Sequence, residues 1–548
     1  MRGIPWVSAI WLLAIAAASA ADAGNPGAPA AAWPDDGELE ASGARIGTIT
    51  VRDLPIFDPT AKGERKAIYR FADRAHIDTR DSVIVSQLLF APGDPYSRRL
   101  LDETTRNLRE LRFIREPAIH IVGYHDGLVD VEVVAHEVWT TNPGLSFSRR
   151  GGENSTGIEL EELNLFGFGK HLSFDYSSDV DRSSHTVRWK DPAVWGSRWR
   201  SELALRDSDD GAGESVVIER PFYSLDTRWS AGFGIAREDS VERVYRLGEP
   251  VAGYRRNAES AEIRFGWSRG LQDGWTRRTS AGLRHEQAAF DVAPDEIAPQ
   301  RLPGNRDFNY PFLRLEGVQD DFETARNRDQ IARTEDLHFG TRYALEFGLV
   351  DPAFGSDRSA AILRAEASRG FRLADGRSLF VQGALAGRLE SDALADGLLS
   401  GGLRFYSRTG ERGLFYAALS GDFGLELDAD CELSIGGDSG LRGYPLRFQT
   451  GSSRALLTLE QRFFTKRSLW RLADIGGAVF FDMGRSWGQS AFGQTENLGL
   501  LKDFGVGLRF GSTKTSLGNV LHVDVAFPLD GPRSIDRAQL LIQTKRSF

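Results

Sequence analysis

Residues 437–440 read Gly-Asp-Ser-Gly, a spacing that in a secreted hydrolase presents a serine hydroxyl as nucleophile. That chemistry needs a histidine base, an orienting carboxylate and an oxyanion hole brought from elsewhere in the chain. The partners on offer are poor. The Ala-His pair Ala135-His136 sits in an alternating run that reads as a strand. Beyond Gly440 the sequence continues Leu-Arg-Gly-Tyr rather than Gly-Pro. Ser439 is therefore not read as a nucleophile, and the chain is not read as an enzyme. His136-Glu137 lacks the second histidine of a zinc helix and the glycines are spread along strands, so neither a metal nor a cofactor is expected. Cys431, the single cysteine, is expected as a small side chain in or near a strand. An internal disulfide is thereby excluded.

The first twenty residues carry Arg2, an apolar run from Ile10 to Ala18 and the small-residue triplet Ala18-Ser19-Ala20, which is the layout of a signal peptide with a mature start near Ala21. No later stretch has the ~18 consecutive apolar residues of a membrane helix, so the expected destinations are the periplasm, the outer membrane or the medium. A net charge of −10 and a pI near 5.6 leave no global basic footprint, and nucleic acid is not an expected partner. The mean hydropathy of −0.32 argues against a helical membrane protein only. A transmembrane barrel alternates lipid-facing with lumen-facing residues and averages out as polar.

Residues 21–44, rich in Ala, Gly and Pro, read as a flexible leader. Residues 45–141 then give strand, helix, helix, strand, strand. Ile46 to Val51 alternates, Asp81–Phe90 and Ser97–Leu111 have helical spacing with Ser97 as a cap, and Ala118–Val122 and Leu128–Val138 are strands joined at His125-Asp126-Gly127. From about Asn142 to Phe548 the period is two. Leu337, Phe339, Thr341, Tyr343, Leu345 and Phe347 share one face, and Ala261, Ile263, Phe265 and Trp267 another. Turn residues separate the runs, as at Ala374-Asp375-Gly376. Roughly 405 residues of this pattern far exceed one sandwich of about 100 residues. Closure into a transmembrane antiparallel β-barrel disposes of the edges, and ~25 residues per strand with its turn gives about 16 strands. Residues 207–214 and 293–307 are expected as exterior loops. Trp195, Trp199, Trp229, Trp275 and Trp487 end apolar runs, as interface girdles do.

Within that frame, Leu441-Arg442-Gly443-Tyr444 resembles the LRGY or VRGY/F element of the polypeptide-transporting outer-membrane barrel superfamily, which includes barrel-assembly insertases of the BamA and TamA type and the two-partner-secretion transporters. Phe480-Phe481-Asp482-Met483-Gly484 resembles its companion motif, Phe-x-Asp-x-Gly. The order of elements in 45–141 is similar to that of one polypeptide-transport-associated (POTRA) domain. The resemblance covers about residues 46–548 and implies an exterior loop folded back into the lumen, with Arg442 held by Asp482. Alternation agrees, placing Asp482 with Ala478 and Phe480 opposite Val479, Phe481 and Met483. Gly440 and Gly443 would allow a tight backbone path and Tyr444 would pack on the lumen wall. Glu460 and Arg462, on the lumen set of the strand Arg454–Phe464, are secondary candidates beside the plainer reading of solvated lumen charges. Phe548 fits the terminal aromatic of bacterial barrels, although Arg546 departs from the usual apolar alternation.

The expectation is thus a mainly β protein of the Gram-negative outer membrane. A single periplasmic POTRA-like domain precedes a monomeric barrel that handles client polypeptides, for insertion or translocation. The alternative is a passive porin or solute channel.

Overall fold

In the computed structural model the described residues are 33–54, 56, 77–374, 376–391, 393–469, 473–493, 498–512 and 519–545. The expected signal peptide, the leader up to residue 32, Asp375 of one expected turn, Arg546 and Phe548 lie outside them.

In the N-terminal unit, β1 (Arg45–Leu54), β2 (Ile114–His125) and β3 (Leu128–Glu137) form a sheet in the order β1-β3-β2, with β1 parallel and β2 antiparallel to β3. Val129, Val131, Val133 and Ala135 alternate along the central strand and are fully buried beneath the helices. The helix Arg98–Glu110 covers them with Leu101, Thr104 and Leu108, a spacing of three and four that defines one face. Ser97 occupies its N-cap position but makes no capping bond with its side chain. Instead the amide of Arg98 donates to Glu40 Oε1 at 2.8 Å. Glu40 belongs to a helix, Asp36–Ala41, inside the stretch expected to be a flexible leader. A reciprocal capping box between Asp35 and Glu38 starts that helix and Leu39 buries it in the core, a local signal masked by the Ala/Gly/Pro composition around it. The first expected helix is also shorter, Asp81–Val85, although Leu88 and Phe90 beyond it still reach the core.

Asp53, near the end of β1, is held among carboxylates. Burial first, then Glu137, Asp81 and Asp78, push its pKa from 3.8 up to about 6. The folded unit therefore binds this proton more tightly than the unfolded chain does. The resulting stabilisation is complete below pH 4 and is lost as the pH rises through about 6. Hydrogen exchange of residues 45–54, corrected for intrinsic rate, is expected to be slower at pH 4.5 than at pH 7. Asp53→Asn should abolish that difference.

From Thr141 to Lys545 the described chain forms a closed antiparallel barrel of 20 strands, which corrects the expectation of about 16. The connections are tighter than assumed. Turns of two residues join Thr141–Arg150 to Glu153–Glu162, Arg200–Ser208 to Gly211–Arg220, and Trp229–Arg246 to Glu249–Gln272. Residues 207–214 are thus not a loop but the top of a hairpin, with Ser208 Oγ donating to the Gly211 carbonyl at 2.8 Å. By contrast, 293–305 is a long connection between strands. The alternating run around residues 337–347 belongs to two elements. Thr334–His338 pairs with Phe322–Arg326 as a separate hairpin, and Arg342–Val350 is a barrel strand.

Phe233, Ile263 and Leu283 lie side by side across three strands and point outward, with Leu283 60% exposed. Such a band on a closed cylinder is a surface for hydrocarbon. No helix among the described residues is long and apolar enough to cross a membrane. Trp195, Trp199, Trp229 and Trp275 cluster at the end that carries the N-terminal unit, where Trp199 meets Trp229 at 6.3 Å. Trp487 lies at the far end.

The helix Arg98–Glu110 lies across the near end of the barrel. Glu103 Oε1 accepts from the Leu225 amide at 2.7 Å, Asn107 Nδ2 donates to the Tyr223 carbonyl at 3.1 Å, and Arg99 pairs with Asp226. At the barrel's seam the first strand, Thr141–Arg150, is in ladder register with the last, Gln539–Lys545, at Ile542 and Arg149 alone among the described residues. On its other side the same strand pairs along its whole length with Glu153–Glu162.

Candidate functional site

Residues 426–452 join the strands Gly413–Leu425 and Ser453–Leu469 at the far end of the barrel. A short stem, Leu433–Ile435 paired with Gln449–Gly451, supports a tip that turns back into the lumen. The tip is shaped by its own backbone. The Gly437 amide donates to the Pro445 carbonyl at 2.9 Å, Leu441 to Gly436 at 3.0 Å and Tyr444 to Leu441 at 3.1 Å. Leu441 and Tyr444 are fully buried and pack with Ile435, Phe448 and Leu501. The Tyr444 hydroxyl donates to the Lys502 carbonyl at 2.7 Å, which ties the tip to the next strands.

Arg442 projects from this tip to the barrel wall. Its Nε lies 2.7 Å from Asp482 Oδ2 and its Nη2 3.0 Å from Asp482 Oδ1, a bidentate fork. Its Nη1 donates to Glu460 Oε2 at 3.1 Å and lies 3.7 Å from Asp524. The guanidinium carbon Cζ sits over the Phe480 ring, 3.3 Å from its centroid, so one face is covered while the edge is hydrogen-bonded. Asp482 is fully buried and also accepts from Thr458 Oγ1 at 2.9 Å. Arg442, Asp482, Phe480 and Glu460 are therefore in direct contact. Arg462 joins through Glu460, with Nε to Oε1 at 3.0 Å.

Three glycines make room for this approach. A Cβ on Gly443 would lie 2.7 Å from Asp503 Cβ and 3.0 Å from the Pro528 nitrogen. Gly440 has φ +113°, and Gly484 faces Ile435 of the stem and the Ala455 carbonyl. Gly484 is thus the point where the strand Ala473–Trp487 admits the loop.

Several members were not anticipated. Asp503 accepts from the Gly443 amide at 3.0 Å, and Arg509 pairs with Asp524 and lies 3.6 Å from Glu460. Asp503, Gly505, Gly507 and Arg509 share one alternation face, with Phe504, Val506 and Leu508 on the other, so the charges could have been placed in the lumen from the pattern alone.

Ser439 belongs to the turn, its Oγ accepting from the Gly436 amide at 2.8 Å, and Asp438 lies 3.7 Å from Arg447. His136 is on β3 of the N-terminal unit, in register with Leu54 and Arg115. These residues are not brought together. Cys431 is a half-buried free thiol in the same loop, outside the strands.

No family model matches the chain. A protein described as "Putative outer membrane protein assembly factor" from Treponema pallidum (strain Nichols) is 27% identical over 137 residues, which is 23% of this chain and 16% of that protein. Among solved structures, CdiB from Escherichia coli has a TM-score of 0.47 at 12% identity, over 92% of this chain and 76% of that one. CdiB from Acinetobacter baumannii has a TM-score of 0.44 at 13% identity, over 92% and 74%. BamA from Haemophilus ducreyi lacking POTRA domains 1–3 has a TM-score of 0.38 at 14% identity, over 92% and 85%. The sequence match thus spans less than a quarter of this chain and less than a fifth of that relative.

Proposed function

We propose that this chain is an outer-membrane barrel that handles polypeptides, with its N-terminal unit acting as a POTRA-like domain on the periplasmic side. The observation that carries this reading is the buried fork between Arg442 of the infolded loop and Asp482 of the wall. In this reading Arg442, Gly443, Tyr444 and Gly440 form a lock on the wall motif Phe480-x-Asp482-x-Gly484. A passive porin keeps a standing aqueous path through its lumen, whereas here a loop tip occupies that space. The seam between Thr141–Arg150 and Gln539–Lys545, in register at one position among the described residues, favours insertion of clients by lateral opening over threading through the pore. The edge strand β2 offers backbone groups to an extended client, a mode that makes little demand on sequence.

The test uses intact cells. A photocrosslinker at Val122, an exposed residue of β2, is expected to capture unfolded outer-membrane polypeptides, and deletion of 45–141 should lower the level of those same clients while the barrel still inserts. The result that sinks the reading is unchanged client levels together with a steady, solute-selective conductance in planar bilayers that Arg442→Ala does not alter. That outcome supports the porin.

A further inference from the structure

We infer that the barrel is latched from both ends and that the two latches are one coupled unit, joined through Arg462 and Glu460 in the lumen. The second latch is residues 327–333, the tip of the hairpin formed by Phe322–Arg326 and Thr334–His338. This tip enters the lumen from the end that carries the N-terminal unit. Ile331 is 3% exposed and packs against Tyr406, Leu414, Phe464, Ala478 and Val520 of the wall. Asp329 receives the Tyr406 hydroxyl at 2.9 Å and Arg462 Nη1 at 3.1 Å, and Arg328 Nη1 donates to Ser378 Oγ at 2.6 Å. Glu335 holds the tip's shape by accepting from the amides of Arg328 and Asp329, both at 2.9 Å.

The hairpin's base is fastened to the N-terminal unit. Glu116 on β2 accepts from the Thr334 amide at 2.9 Å and from Arg326 at 2.8 Å, Arg109 pairs with Asp336, and Arg106 lies over the Phe322 ring at 4.2 Å. A continuous line therefore runs from Glu116 to Thr334, along the chain to Glu335, and by direct contacts through Asp329, Arg462 and Glu460 to Arg442. Glu460 is the shared element, with one oxygen serving Arg442 and the other Arg462. When the hairpin is pulled out, Arg462 loses Asp329 and must draw harder on Glu460, which weakens the hold on Arg442. Movement of the N-terminal unit on its mouth of the barrel is thereby transmitted to the loop at the opposite mouth. The coupling belongs to the resting architecture and does not depend on which client is handled.

Hydrogen exchange on the full chain in detergent micelles tests this. Asp329→Ala is expected to speed exchange of residues 436–446 by about tenfold, a factor typical of coupled sites, and Arg442→Ala should speed 327–333 reciprocally. Glu116→Gln acts from the N-terminal unit and should loosen both segments, which keeps the test available if Asp329→Ala does not fold. Folding of each variant is read from heat-modifiable migration in gels. Acceleration confined to 327–333, or spread evenly over every barrel strand, overturns the inference.

Discussion

Arg442→Ala is expected to free the loop tip and to lower the barrel's unfolding free energy by roughly 3 to 5 kcal/mol, the range for stranding buried charge, with a wet lumen moving the value to the lower end. The size follows from what the substitution leaves behind. Asp482, Glu460 and Asp524 are all buried, and Arg442 is the cation that touches all three. Phe480 loses its stacked partner as well. Arg442→Lys should not rescue, because an ammonium cannot fork onto Asp482 while also reaching Glu460 and lying flat on the ring. Leu441→Ala removes packing at the neighbouring position without disturbing the charges. Comparing the denaturation midpoints of these three variants in micelles, with exchange of residues 436–446, separates the electrostatic contribution from the steric one. A denaturation midpoint for Arg442→Ala no lower than that of the parent chain would show that the charge network contributes nothing net.

Gly443→Ala is expected to be nearly as damaging, for a different reason. The added methyl would meet Asp503 Cβ at 2.7 Å and the Pro528 nitrogen at 3.0 Å, both fixed to barrel strands rather than at the ends of flexible side chains. Relief requires the tip to back away, which breaks the Gly443 amide bond to Asp503 and lengthens the Arg442 fork. Overpacking of this kind costs about 1 to 3 kcal/mol before those bonds are counted. Gly304→Ala is the control, since a methyl there meets nothing within 4 Å and the backbone is not left-handed. Thermal melting followed by gel migration should shift for the first variant and not for the second. Equal behaviour of the two would mean that the tip is not seated against the wall.

Much of this arrangement was legible in the sequence because a strand's period is two. Asp482 could be put on the inner face from Val479, Phe481 and Met483 alone, and the partnership with Arg442 came from the motif pair. Strand number was not legible, because it depends on connection length. A pair such as Asp209-Asp210 looks like part of a polar loop and in fact forms the whole turn between two strands. The run from Leu337 to Phe347 shows the same limit, since alternation does not reveal that 339–341 break it between a hairpin and the barrel. Asp329 had no signal at all. It lies between strands in an irregular segment, and its partner Arg462 is far along the chain. The helix Asp36–Ala41 was missed because composition was averaged over a stretch in which Asp35, Glu38 and Leu39 carried the information.

The ring closes where Arg149 meets Ile542, so the two strands that complete it are separated by nearly all of the chain that forms the wall. As the barrel assembles, the sheet must therefore keep a raw margin at each side until Gln539–Lys545 is in place. A pairing of that span is entropically slow to find, and the margins are sticky while they wait. Removal of Gln539–Lys545 should accordingly yield an aggregating sheet rather than a narrower cylinder.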